Sequence, residues 1–247
     1  MKGHVRSTEV VPGIARRRWN DVWKWRGLAV GLGMTMMAGA VGVRPAVRAQ
    51  EQERVANIPT APNHRPRPSL TSRSYVVIDR ASNETLLARD EDEPRSIASL
   101  TKLMSVMVYM DMEPDLTEVI EITKEDRKGA RPAATRLQRG YQLMAEDLVF
   151  AALVSSENPA VEALARSTGL TRPEFVGMMN RKAQELGMAH SIFFDASGLD
   201  ANNTSTPRDV ARMLEAASSY PLIQKATTTT DYQASVGNKG KKIHYYN

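Results

Sequence analysis

The sequence contains no cysteine and only four histidines, and these shortages exclude several kinds of chemistry. Without cysteine the protein has no disulfide framework and no thiol nucleophile. No histidine has a partner at metal-ligand spacing, since His190 and His244 lie far apart and the other two precede residue 65. The sequence also lacks internal repeats and a phosphate-binding glycine pattern. We therefore expect neither a metal ion nor a cofactor.

A basic body is missing too, although the formal net charge is +5. Residues 1–49 hold nine of the 33 Lys and Arg residues but only two of the 28 Asp and Glu residues. The rest of the chain therefore carries 24 basic against 26 acidic residues. Because this part is slightly acidic, we expect no nucleic-acid partner.

The basic N-terminal part is typical of an export signal. Five Lys or Arg residues between positions 16 and 26 precede an uncharged, mostly apolar run from Leu28 to Val43. This run is rich in glycine and short for a bilayer span, which favours a removed signal over a membrane anchor. We predict a signal peptide over 1–49, a proline-rich flexible linker over 50–72 and a periplasmic domain over 73–247.

The domain begins with sequence typical of strands, continues with helices and returns to strands. A β-hairpin is predicted from the runs 75–79 and 85–87. Helical patterns and the capping box at Thr171 predict helices over 97–110, 144–154, 159–166, 171–187 and from 206. Extended sequence is predicted over 119–122, 231–236 and 242–246. This order predicts a mixed α/β (α+β) fold, an antiparallel sheet with a helical insertion, with the sheet incomplete at residue 247.

The first helix contains the most informative motif, Ser99-Leu100-Thr101-Lys102. This helix is apolar almost all round, which predicts burial, and Lys102 is its only charged residue. A spacing of three places Ser99 and Lys102 on one helix face, where the hydroxyl can hydrogen-bond the amine. Burial disfavours an ammonium ion, so Lys102 can act as a base for Ser99, and the helix start favours an oxyanion there.

A simpler interpretation of this motif stays open. Lys102 would reach water through its aliphatic stem, and Ser99 would merely stand near the helix start. A Ser-x-x-Lys spacing arises about once by chance in a chain of this size at average composition. The spacing alone therefore does not distinguish a nucleophile from a structural serine.

A second candidate segment, residues 155–159, lies between two predicted helices. Pro159 disfavours helical geometry at Asn158, which indicates a loop that can direct polar side chains into a cleft. Ser156 can then relay a proton to a leaving amine, and the Asn158 amide can bind a substrate peptide group. Alternatively, Asn158 is a helix N-cap with Pro159 at the first helical position.

Together the two segments resemble the penicillin-binding proteins and serine β-lactamases, whose sites join an SxxK motif to an SxN motif. The SxxK match is residues 99–102, and the SxN match is Ser156-Glu157-Asn158. The flanking residues are most similar to the D-alanyl-D-alanine endopeptidases among the low-molecular-mass members. The resemblance runs from about Ser74 to Asn247 and includes Phe194, Gly198-Leu199, Ser205-Thr206 and Arg208-Asp209.

The resemblance implies a β-lactamase/transpeptidase-like fold and a serine hydrolase that cuts D-alanyl cross-links of peptidoglycan through an acyl-serine. Ser99 would be the nucleophile, Lys102 its base, Ser156 the proton relay and Asn158 a substrate-binding group. The implied partners are peptidoglycan stem peptides as substrates and β-lactam antibiotics as covalent inhibitors.

The family's third motif, Lys-Thr-Gly or a close variant, does not occur in these residues. Lys239-Gly240-Lys241-Lys242 has neither its order nor its place. In the family this motif lies a little beyond the region that matches Asn247, so we expect the chain to be truncated before it. Membrane contact is expected only through a region beyond residue 247.

Three alternatives to the endopeptidase stay open. A D-alanyl-D-alanine carboxypeptidase would release a terminal D-alanine instead of cutting a cross-link. A class A β-lactamase fits less well, because that group typically has Asp where Glu157 stands. A non-catalytic peptidoglycan-binding protein that lacks the third motif is the alternative from another class.

Overall fold

A computed structural model describes residues 70–128, 135–237 and 239–247. These residues belong to one compact unit, residues 68–247. The predicted signal peptide and most of the predicted linker lie outside the described residues. Within the described ranges, no helix combines the length and the apolarity needed to cross a membrane.

The described residues contain eight short strands and six α-helices. The strands are β1 (Tyr75–Ile78), β2 (Thr85–Arg89), β3 (Arg95–Ser96), β4 (Val119–Glu121), β5 (Gln142–Met144), β6 (Thr204–Ser205), β7 (Asp231–Val236) and β8 (Lys241–Tyr246). The helices are α1 (Thr101–Asp111), α2 (Ala145–Val154), α3 (Asn158–Ser167), α4 (Arg172–Glu185), α5 (Pro207–Ala217) and α6 (Pro221–Thr228).

All strand pairs are antiparallel, which confirms the predicted α+β class. The strands form four two-stranded ladders within the described residues, β1–β2, β3–β6, β4–β5 and β7–β8. The β3–β6 ladder matters most for the site, because it pairs Arg95 with Ser205 and Ser96 with Thr204. It thereby places the segment before Ser99 beside a segment from far along the chain.

Helix α1 is the centre of the helical layer, as its apolar sequence predicts. All nine residues from Thr101 to Tyr109 are buried, and α1 contacts α2, α3, α4 and α5. Met104 and Met107 are fully buried, and removing each such side chain from water contributes about 1.5–3 kcal/mol. The consequence for function is that a polar side chain on α1 must find its partners inside the protein.

The helix starts agree with the sequence signals. The Thr171 hydroxyl accepts a hydrogen bond from the Glu174 amide, while the Glu174 carboxylate accepts one from the Thr171 amide, which completes the predicted capping box. Thr206 caps α5 in the same way through the Asp209 amide. The strands β3, β5 and β6 and the helix α6 were not predicted from the sequence. These three strands have only two or three residues each, so no alternating pattern develops.

The capping box gives a test of the helical layer. We expect Thr171→Ala to lower the free energy of unfolding by about 1 kcal/mol, because the exposed α4 start loses its side-chain acceptor. Thr171→Ser keeps the hydroxyl and serves as the matched control. Urea unfolding of both variants measures the difference, and equal stabilities would contradict the capping role.

Candidate active site

The two ends of the Ser-x-x-Lys motif lie in very different surroundings. Ser99 is exposed and belongs to a 3-10 helix, Ala98–Leu100, that leads directly into α1. Lys102 lies in the first turn of α1 and is only 2% exposed. The motif therefore presents a hydroxyl to solvent on one side and a buried amine on the other.

The Lys102 amine has two hydrogen-bond acceptors. Its Nζ lies 2.9 Å from Ser99 Oγ and 2.7 Å from the backbone carbonyl oxygen of Ser197. The alternative in which Lys102 extends to water is therefore wrong, since the residue is only 2% exposed and its amine bonds inside the protein. A long aliphatic stem reaches water only where the helix has an exposed face, and α1 has none over this turn.

Burial also changes the protonation of Lys102. Loss of hydration lowers the pKa of the Lys102 amine from its ordinary value to about 8, while the carboxylates of Asp195, Glu162 and Glu157 act in the opposite direction. At pH 7, about one such amine in ten is neutral, against fewer than about one in a thousand for an ordinary lysine. This protonation equilibrium is compatible with the predicted role of Lys102 as a base for Ser99, which stays a prediction.

The turn that carries Ser99 packs directly against Gly198. Ala98 has a positive φ of 44°, a conformation that costs an alanine about 1 kcal/mol. Gly198 has a φ of 81°, and a Cβ at this position would lie 1.9 Å from the Ala98 carbonyl oxygen. Only glycine fits this approach, so the Ser99 turn and residue 198 hold each other in place.

The SxN segment forms the connection between α2 and α3. Ser156 is exposed and has a positive φ of 57°, while Asn158 is half-buried. Among the described residues, neither side chain has a hydrogen-bond partner, so both remain available to a ligand. The predicted loop is short, because α3 begins at Asn158 with Glu157 as its N-cap and Pro159 in its first turn. The N-cap is therefore Glu157, one residue earlier than the alternative with Asn158 as N-cap predicts.

Residues on both sides of Ser156 fix this connection. The Ser155 hydroxyl donates to the Tyr246 carbonyl oxygen at 2.9 Å and accepts from the Tyr246 amide at 3.1 Å. The buried Glu157 carboxylate accepts hydrogen bonds from the Thr135 hydroxyl and the Arg136 amide. The connection is therefore joined to β8 on one side and to residues 135–136 on the other.

The structure brings Ser99 and Lys102 together by a direct hydrogen bond. It places Ser156 and Asn158 on a neighbouring element, since α3 contacts α1 and the Glu157 carboxylate influences the Lys102 pKa. No hydrogen bond joins Ser156 or Asn158 to the Ser99–Lys102 pair in the described part of the chain. The roles predicted for Ser156 and Asn158 stay predictions.

The segment 195–203 contributes to the site in a way that was not predicted from its residue types. Besides the Ser197 contact to Lys102, the Ser105 hydroxyl of α1 donates to the Ala196 carbonyl oxygen at 2.6 Å. Both contacts use backbone carbonyls, which leave no residue-type signal. The Asp, Asn and Gly residues of this segment indicate turns but not what the turns pack against. No group of three or more potential metal ligands occurs among the residues that the structure describes.

This geometry, an exposed serine bonded to a buried lysine at the start of a central helix, agrees with a family match over most of the chain. The chain belongs to the D-alanyl-D-alanine carboxypeptidase family of serine peptidases, whose model matches residues 60–247. The fold is that of penicillin-binding proteins and transpeptidases. The chain and a crystal structure of a Streptomyces DD-transpeptidase superpose with a TM-score of 0.67 at 23% identity, over 73% of this chain and 75% of that one.

Two curated relatives are similar in sequence and share the same name. The D-alanyl-D-alanine endopeptidase of Pseudomonas aeruginosa is 37% identical over 162 residues, which cover 66% of this chain and 52% of that protein. The D-alanyl-D-alanine endopeptidase of Escherichia coli is 31% identical over 180 residues, covering 73% and 58%. The chain thus spans about half the length of the curated relatives it matches.

The close approach at Gly198 gives a test of the site geometry. We expect Gly198→Ala to lower the free energy of unfolding by about 1–3 kcal/mol more than Gly169→Ala, because only the first methyl group overlaps other atoms. Gly169 has a similar φ of 76° but nothing within 4 Å of an added Cβ, so it controls for backbone strain. Urea unfolding measures both variants. Equal losses would show that residue 198 does not hold the Ser99 turn.

Proposed function

We propose that this protein is a periplasmic peptidoglycan D-alanyl-D-alanine endopeptidase that cuts peptide cross-links through an acyl-serine intermediate. The main support is the hydrogen bond between the exposed Ser99 hydroxyl and the buried Lys102 amine. Family membership supports the reaction class, and the two similar endopeptidases support the cross-link as the bond that is cut. The export signal predicted from the sequence supports the periplasmic location, where the wall polymer is found.

Acylation begins at Ser99. The neutral Lys102 amine accepts the hydroxyl proton across their 2.9 Å contact, and Ser99 Oγ attacks the D-alanine carbonyl carbon. The start of the 3-10 helix and α1 favours the negative charge that develops there. When the tetrahedral intermediate collapses, the peptide C–N bond breaks, the acyl group stays on Ser99 and the amine leaves with a proton.

Deacylation reverses these proton movements. A water molecule gives a proton to the base and attacks the ester, which frees the carboxylate and returns the proton to Ser99 Oγ. In the acylation step, the exposed Ser156 hydroxyl is the proposed relay that passes the proton from Lys102 to the leaving amine. The Asn158 amide is the proposed partner of a substrate peptide group. Because neither side chain has a partner among the described residues, neither has to break a bond before it binds substrate.

A D-alanyl-D-alanine carboxypeptidase is the second candidate, favoured by the description of the family itself. The two activities share the acyl-serine and differ in the leaving group. A carboxypeptidase releases free D-alanine from a stem peptide, whereas an endopeptidase releases a second stem peptide from a cross-link. Digestion of cross-linked and of uncross-linked muropeptides distinguishes them, and we expect the cross-linked dimers to be cut.

The acyl-serine also makes the protein a target of β-lactam antibiotics, whose strained amide is opened by the same attack. We expect a fluorescent penicillin to label the whole protein covalently and to leave Ser99→Ala unlabelled, as seen after denaturing electrophoresis. Ser96→Ala, a change of another exposed serine three residues earlier, is the matched control and should label fully. Equal labelling of wild type and Ser99→Ala would overturn the assignment. No labelling of the wild type would favour a non-catalytic wall-binding protein.

A further inference from the structure

The Ser197 carbonyl that accepts from Lys102 belongs to a turn built by Asp195. The Asp195 carboxylate accepts hydrogen bonds from the Gly198 amide at 2.6 Å and from the Asp200 amide at 2.8 Å. Two carboxylate oxygens thus fold residues 195–200 around a single side chain. This turn fixes both the Ser197 carbonyl, which holds Lys102, and Gly198, which packs against Ala98.

Asn203 closes the same turn from inside the protein and is fully buried. Its Oδ1 accepts from the Phe194 amide at 2.7 Å, and its Nδ2 donates to an Asp195 carboxylate oxygen at 2.8 Å. The buried amide therefore uses both of its ends to hold the base of the turn. A buried side-chain amide is costly unless it is hydrogen-bonded, so these bonds fix the orientation of the Asn203 side chain as well as that of Asp195.

Asn203 also reaches the catalytic helix. Its Nδ2 lies 3.1 Å from Thr101 Oγ1, and its backbone carbonyl accepts from the Ile97 amide at 3.0 Å. Thr101 stands between Ser99 and Lys102 in the chain, and Ile97 stands two residues before Ser99. One residue therefore touches the nucleophile segment on both sides of Ser99 and, through Asp195, the turn that holds the Lys102 amine.

We propose that Asn203 and Asp195 are positioning residues that set the Lys102 amine relative to Ser99 Oγ. Among the described residues, neither side chain forms a hydrogen bond with Ser99 Oγ or Lys102 Nζ. Both act through the Ser197 carbonyl, the Gly198 approach and Thr101. When Asn203 is lost, the turn relaxes, the Ser197 carbonyl moves away from Lys102, and water reaches the amine. This inference rests on the proposed acylation of Ser99.

Positioning and mere folding predict different pH behaviour. A hydrated Lys102 amine stays protonated to higher pH. The pH midpoint at which the acylation rate constant rises should therefore shift to higher pH. Each unit of that shift removes about nine tenths of the neutral amine at pH 7, a tenfold lower rate constant. A purely structural loss would lower the fraction of protein that reacts but leave the rate constant and its pH midpoint unchanged.

The experiment measures the rate constant of penicillin acylation against pH in the whole protein and three variants. Asn203→Ala should acylate at least tenfold more slowly at pH 7, with its midpoint at higher pH. Thr101→Val removes only the 3.1 Å contact and should shift the midpoint in the same direction by less. The exposed neighbour Asn202 provides the matched control, and Asn202→Ala should stay within twofold of wild type.

The outcomes separate the two proposals. If wild type is acylated and the pH midpoints of Thr101→Val and any folded Asn203→Ala are unchanged, the positioning role is overturned while the proposed function stands. If Asn203→Ala does not fold, Thr101→Val alone decides, because it deletes one hydroxyl and keeps the side-chain shape. If wild type is not acylated at any pH, the proposed function fails and the positioning role fails with it.

Discussion

The arrangement of the site depends on one contact, the buried Lys102 amine held between Ser99 Oγ and the Ser197 carbonyl. Burying an amine is costly, and only good hydrogen bonds make the burial tolerable. The enclosing helices therefore have two effects at once. They supply the apolar core that stabilises the domain, and they remove the water that would hydrate the ammonium form, which lowers the pKa of Lys102. The same packing therefore contributes to stability and lowers the pKa of the amine.

The same contact explains why a distant segment belongs to the site. The acceptor on Ser197 must stay within hydrogen-bond distance of a buried amine whose other hydrogen-bond partner, among the described residues, is Ser99 Oγ. The β3–β6 ladder brings residues 204–205 beside residues 95–96, and the contact between Gly198 and Ala98 brings the two turns together. The strain at Ala98 is held by this packing, as is common where a backbone is fixed for function. The turn that carries Ser99 is thus held in place by residues outside α1.

The helical layer could be predicted from the sequence because its signals are local. Three signals each lie within a few residues: the apolar pattern of α1, the Thr171 capping box and the Ser99–Lys102 spacing. Both predicted helices are present, and so is the Ser99–Lys102 hydrogen bond. The first helix was predicted from residue 97, but α1 begins at Thr101, because residues 98–100 form a 3-10 helix. The Ser197 acceptor could not be predicted in this way, since a backbone carbonyl is the same in every residue. Asn203 was missed for a related reason: its importance comes from partners about 100 positions earlier, and only the folded chain brings them together.

Direct titration of the Lys102 amine tests this account most sharply. The Lys102 side-chain signal can be followed by NMR in protein labelled at its lysine side chains, and assigned by its loss in Lys102→Met. Because burial removes hydration from the amine, the account predicts a midpoint near pH 8. A midpoint near the ordinary lysine value of about 10.4 would show that almost none of the Lys102 amine is neutral at pH 7 and would contradict its proposed role as the base.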